Sequence, residues 1–245
     1  MLKRPKSFLE TLLDSIFLAT ILLASPVLAQ HQAAEHPPSP AGNGVKSPVV
    51  DSGTAMRMLL EGNRRFIKSQ PLHPHESAQR RVELGLTGQH PFAIILSCAD
   101  SRVPPENVFD AGLGDLFVVR VAGHIVDDAV IGSIEYASQH LGAKLLVVLG
   151  HEKCGAVQAA IANQREAHLR YLVDAIQPAV LKVRTRTPAT TAAGFADRVV
   201  WANVIETMSA LETSEPILRK MVARQELKIA GAVYHIATGK VEFLR

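Results

Sequence analysis

Three short apolar runs constrain this chain more than any other feature: Phe92-Ala-Ile-Ile-Leu-Ser97, Leu116-Phe-Val-Val-Arg-Val121 and Leu145-Leu-Val-Val-Leu149. None alternates polar with apolar, as a strand with one wet face would. Runs of this kind fit strands covered on both faces, the condition of a parallel sheet. Between the second and third runs, Asp127 to Leu141 reads as a helix. An Asp sits near its start, Ile131, Ile134 and Tyr136 lie on its apolar side, and Gly142 stands at its end. Strand, helix and strand in that order make a βαβ unit.

The rest of the chain is read around that unit. From Thr54, the residues Met56, Leu59, Leu60 and Phe66 mark a helix, and a looser segment with Pro71, Pro74 and Gly85 follows. A mostly helical stretch runs from about 156 to 224 and is broken near 185–196. Within it, Ser214-Glu-Pro-Ile reads as a helix start capped by Ser214. Leu227–His235 and Val241–Leu244 read as strands around a Thr238-Gly239 turn. The fold class expected is α/β: a central, mostly parallel β-sheet flanked by helices, with a C-terminal hairpin or edge strand. A length of 245 residues with 47% hydrophobic content supports one such domain over 53–245.

The first 52 residues read differently. Residues 1–29 have the form of a secretory signal peptide: Lys3, Arg4 and Lys6, then the apolar stretch Ile16 to Ala24, then Val27-Leu28-Ala29 before a cleavage point at Gln30. The apolar stretch is shorter than the roughly 20 residues a spanning helix needs, so no stable membrane insertion is expected after the leader is removed. Residues 30–52, rich in Pro, Gly, Ala and Ser, read as a flexible linker. The expected location is the periplasm, with secretion further out as the alternative. The formal charge of +3 falls to +2 without the leader, too small and too evenly spread for nucleic acid.

Chemistry-bearing residues follow two of the strands. Cys98-Ala-Asp100-Ser-Arg102 begins where the first strand ends, and His151-Glu-Lys-Cys154-Gly begins just after the third. Ligands of open parallel sheets bind beyond the carboxyl ends of the strands, so both segments reach the functional edge. His151 and Cys154, three apart at a helix start, can share an ion. With Cys98 they make a Cys2His set, which suits zinc and leaves a fourth position for water. On the residues alone, a Cys98–Cys154 disulfide in an exported, non-catalytic module remains the alternative, since these are the only two cysteines. Gly112-Leu-Gly114 lacks the third glycine of a dinucleotide fingerprint, and no phosphate-cradling loop or GxSxG elbow is present.

The two segments, at this separation, resemble the paired metal motifs of the β-class carbonic anhydrases. The likeness extends through Gly62-Asn-Arg-Arg-Phe66, Gly88-Gln89, Pro91, Val103-Pro-Pro-Glu106, Gly114-Asp-Leu-Phe-Val-Val-Arg120, Ile134-Glu-Tyr136 and Gly231-Ala-Val-Tyr234, and spans 54–245. The resemblance implies one Zn2+ per chain on Cys98, His151 and Cys154, and reversible hydration of CO2 to bicarbonate. It implies that Arg102 holds Asp100 away from the metal, so that the carboxylate orients the attacking hydroxide. It assigns Gln89, Phe117, Tyr136 and Gly155 to the substrate pocket, partly across a dimer interface, and His140 to proton transfer. A homodimer or homotetramer is implied as well. Carbonyl sulfide or carbon disulfide is the rival substrate within the same zinc chemistry. Two departures stand out: His124 occupies a position where many relatives have Asn, and the only Trp is Trp201. The separate anion pocket of bicarbonate-gated relatives is therefore not expected here.

Overall fold

The computed structural model describes residues 49–186 and 191–244. The leader and most of the linker read from the sequence lie outside the described residues. The sheet has five strands: β1 (Ala93–Ser97), β2 (Leu116–Arg120), β3 (Leu145–His151), β4 (Lys228–Tyr234) and β5 (Val241–Phe243). Their order is β2-β1-β3-β4-β5. The first four are parallel neighbours, and β5 pairs antiparallel with β4, closing the C-terminal hairpin. The α/β reading and its mostly parallel sheet are thus what the chain adopts. β1 and β3 are buried at every residue, as unbroken apolar runs require. β2 forms one edge of the sheet and is only partly buried along most of its length.

Helices cover both faces. One apolar cluster joins Ile94, Leu96, Leu146 and Val148 to Ile134, Ile176, Val180, Val200 and Val204. The other joins Ile95, Val147 and Leu149 to Leu59, Val108 and Phe109. These two sets take alternate residues of the same strands, the period-2 rule of a strand covered on both sides.

The first helix, α1 (Ser52–Ile67), is capped by Asp51, whose side chain accepts from the Gly53 and Thr54 amides at 2.9 and 3.0 Å. Val50, just before the helix, packs against the cluster that holds Ala55 and Leu59. At Gly62, α1 crosses so near the Phe109 carbonyl that a Cβ would lie 1.8 Å from its oxygen. Gly62→Ala gains helix propensity of about 1 kcal/mol at most. The clash meets backbone that cannot swing aside and outweighs that gain. The expected net loss is about 2 kcal/mol, read as a melting temperature about 4–8 °C lower; an unchanged or raised value rules out the close approach.

Two expectations are corrected. The looser segment after Pro71 contains a second helix, α2 (Ala78–Thr87), capped by Ser77. It buries no residue, and its apolar Val82 and Leu86 are exposed, so it is held by no core contact. A four-residue turn of helix, α3 (Pro105–Val108), follows β1, and the expected α4 (Asp128–Gln139) is present with Asp127 as its cap. Beyond β3 come α5 (Gly155–Ile161), α6 (Leu169–Arg186), α7 (Ala192–Glu212, capped by Thr191) and α8 (Leu218–Ala223). Ser214 does not cap α8: residues 214–217 form a turn, the Arg219 amide bonds the Ser214 carbonyl, and the helix starts four residues later. No helix among the described residues is long and apolar enough to cross a membrane.

Candidate metal centre

The strand order places the site. From β1 the chain moves to β2 on one side, then crosses to β3 on the other. The crevice beyond the carboxyl ends of β1 and β3 is therefore a topological switch point, where open α/β sheets bind ligands. Ser97 pairs with Leu149, so Cys98 leaves β1 beside the end of β3, where His151 sits. After a turn with Lys153 at φ 55°, Cys154 becomes the cap residue of α5.

Cys98, His151 and Cys154 are all buried, and their ligand atoms lie within 4.8 Å of one another. Both thiols are free, with their Sγ atoms 4.0 Å apart, about twice an S–S bond length. The structure thus holds a metal-type cluster and not the disulfide alternative. His151 Nδ1 lies 2.9 Å from the Glu152 carbonyl, which can only accept, so Nδ1 carries a proton and the neutral ring leaves Nε2 bare. That Nε2 is buried without a partner, the arrangement of a metal-ligating imidazole fixed by an outer carbonyl. The thiols are shifted in opposite directions. The hydrogen bond from Cys154 lowers the Cys98 pKa against burial, and the same contact, with burial, raises that of Cys154. Without a cation the pair shares one proton; a divalent ion between them compensates two thiolates. Two thiolates and one imidazole select zinc-like ions over magnesium or calcium.

Asp100 and Arg102 form the second part of the site. Arg102 donates to both carboxylate oxygens, from Nε to Oδ1 at 2.9 Å and from a terminal nitrogen to Oδ2 at 2.6 Å, and its backbone amide adds a bond at 3.0 Å. The guanidinium also reaches the Lys153 carbonyl at 3.2 Å, tying the two segments together. These side-chain bonds outweigh burial and hold the Asp100 carboxyl well below the usual carboxylate range. Asp100 Oδ2 lies 3.9 Å from His151 Nε2.

Two supporting residues went unassigned from sequence. Arg120, ending β2, donates to the Cys98 carbonyl at 3.1 Å and the Asp100 carbonyl at 2.7 Å. Its signal was a lone charge closing an apolar run at the functional edge. Asn203, nearly fully buried on α7 among Val199, Val200 and Val204, bonds the Gly123 carbonyl. Its signal was a single amide among apolar helix residues.

The remaining candidates are placed as follows. Gly155 opens α5 next to Cys154, and a Cβ there would meet nothing within 4 Å. Phe117, Tyr136 and His140 form a row on β2 and α4, with ring centroids 6.3 and 5.5 Å apart. Tyr136 is half exposed. Gln89 is exposed and precedes β1, at the opposite end of that strand from Cys98, so one chain does not bring it to the metal-type cluster. His124 is buried beside Asn203 in the turn after β2, near the site as its sequence position suggested.

Fold and site define a class: an α/β protein with a thiolate–imidazole donor set at the switch point of its parallel sheet. The carbonic anhydrase family profile matches residues 93–241. The chain is 41% identical over 198 residues to carbonic anhydrase 2 of Mycobacterium tuberculosis, covering 79% of this chain and 93% of that protein. It is 40% identical over 195 residues to a carbonic anhydrase of Mycolicibacterium smegmatis, covering 77% and 91%. Among solved structures it resembles a tetrameric β-carbonic anhydrase of the ascomycete Sordaria macrospora, with a TM-score of 0.64, 25% identity and coverage of 77% and 96%. The chain belongs to the β-class carbonic anhydrase family and is an enzyme of that kind.

Proposed function

We propose that this enzyme hydrates CO2 reversibly to bicarbonate and a proton, with one zinc ion held by Cys98, His151 and Cys154. The observation that carries this reading is the bare, buried Nε2 of His151 facing two free thiols. When bound, zinc supplies a Lewis acid that makes hydroxide available near neutral pH, the pKa of its water being about 7 in carbonic anhydrases with three histidine ligands.

The chain's own residues supply the rest. Arg102 keeps Asp100 ionised and fixed, so its oxygens accept a hydrogen bond from the attacking group and orient it without storing its proton. In this reading Phe117 and Tyr136 form an apolar wall for CO2, and His140, exposed beside Tyr136, is the candidate for passing a proton to buffer. Gly155, without a side chain, leaves room beside Cys154. Gln89 reaches such a pocket only from a second copy, and the partly covered edge strand β2 gives that copy a surface. A homodimer or homotetramer follows from this reading. Export by residues 1–29 to the periplasm, with a linker to about 52 and the catalytic domain beyond, belongs to the same proposal.

One preparation tests these points together. The protein is recovered from the periplasmic fraction of a Gram-negative host and assayed by N-terminal sequencing, zinc analysis, sedimentation and stopped-flow CO2 hydration from neutral to alkaline pH. Gln30 as the first residue, one zinc per chain, a dimeric or tetrameric mass and rapid turnover are expected. No zinc after reconstitution overturns the metal assignment. Zinc bound without CO2 turnover overturns the substrate and directs the assay to carbonyl sulfide or carbon disulfide. A retained leader or a monomer overturns the corresponding part alone.

A further inference from the structure

One buried polar chain under the metal-type cluster has no part in the chemistry above. Asn203 lies on α7, eighty positions from the turn it touches. Its Nδ2 is 3.0 Å from the Gly123 carbonyl oxygen and 3.0 Å from His124 Nε2. A carbonyl only accepts, so the atom facing Gly123 is the amide nitrogen, which has two protons to give. The second points at His124 Nε2, which must then be unprotonated, leaving the ring proton on Nδ1, a buried atom without a partner among the described residues. Full burial agrees, lowering the His124 pKa to about 4 and keeping the ring neutral.

The held turn, Ala122–His124, uses left-handed backbone at two successive residues: Gly123 at φ 71°, which glycine adopts freely, and His124 at φ 43°, which is uncommon for a residue with a side chain. Such backbone persists only where its surroundings hold it in place. Its purpose is visible one atom away: the Gly123 amide points at Cys98 Sγ, 3.3 Å distant. An N–H donated to a ligating thiolate draws charge off the sulfur and fixes its direction, as outer partners of metal ligands do.

We propose that Asn203 is a positioning residue for the metal: by holding the Gly123 carbonyl and the His124 ring together, it aims the Gly123 amide at the Cys98 thiolate. The inference rests on the zinc assignment and extends it to a residue that touches neither metal nor substrate. His124 is then the second half of a clamp, tied to Asn203 and not to the metal.

The test compares the wild-type chain from Gln30 with Asn203→Leu, similar in size but without a donor, each loaded with zinc and, separately, with cobalt(II). In the variant, zinc release to an excess of chelator is expected to be about 10- to 100-fold faster. The sulfur-to-cobalt charge-transfer band should also move, because the Cys98 thiolate has lost its hydrogen bond; loosened packing alone would leave that band in place. A folded variant with release within about twofold of wild type and an unmoved band overturns the proposal. Should Asn203→Leu fail to fold, long-range 15N–1H spectra of the zinc-loaded wild type decide. A bare Nε2 and protonated Nδ1 on His124 are expected, and the opposite tautomer overturns the clamp. Wild type that takes up neither metal overturns the zinc reading instead, so the two failures are separable.

Discussion

Replacing Cys154 with serine is expected to leave the protein folded but unable to keep zinc or hydrate CO2. The residue caps α5 and is buried, so a side chain of nearly the same shape disturbs little packing. A hydroxyl, however, does not ionise where the thiol does, and the cluster loses one of its two anionic donors. Losing an outer partner of a ligand already lowers metal affinity 10- to 100-fold. Losing a ligand should therefore lower it by more than about 100-fold. Dialysed Cys154→Ser should hold far less than one zinc per chain, with turnover at background. A variant that keeps a full equivalent and turns over normally removes Cys154 from the donor set.

Asp100→Asn is expected to separate metal binding from catalysis. Asp100 lies 3.9 Å from His151 Nε2 and is engaged by Arg102 through both oxygens, so its carboxylate is held by the guanidinium and not by the donor cluster. The amide ends the charge pair and replaces one acceptor oxygen with a donor. Zinc content should stay at one per chain, while CO2 hydration falls by about 10²- to 10⁴-fold, the range for a lost positioned acid–base or orienting group. Turnover within about twofold of wild type excludes Asp100 from the mechanism. The sign of the pH effect follows from the lowered Asp100 pKa. Its contribution to stability is present above the ordinary carboxyl range and is lost as pH falls through the depressed folded value. A rise in activity through neutral pH therefore belongs to another group.

Much of the fold was legible because burial leaves its period in the chain. β1 and β3 are covered on both faces, and their runs show no alternation. The α4 helix announced itself through Asp127 and Gly142, residues chosen by the backbone at helix ends. Helix α2 was missed for the converse reason: it buries nothing, and its apolar Val82 and Leu86 face solvent instead of a core. Ser214 misled because Ser followed by Pro two residues on has the form of a cap, although the chain makes a turn there first.

The donor set was legible for a chemical reason. Few residue types bind a soft metal, and Cys98, His151 and Cys154 stand where strands end. What residue chemistry alone left open, apart from the family resemblance, was whether the two cysteines bridge or ligate, because both outcomes use the same residues. The parallel pairing of β1 with β3 decided against the bridge, setting free thiols 4.0 Å apart beside an unpartnered imidazole nitrogen. Nor could residue chemistry place Arg120, Gly123 and Asn203, whose roles depend on hydrogen bonds between residues 20 to 80 positions apart. Local chemistry and periodicity are written along the chain; which buried donor meets which distant acceptor is settled only when the helices close over the sheet.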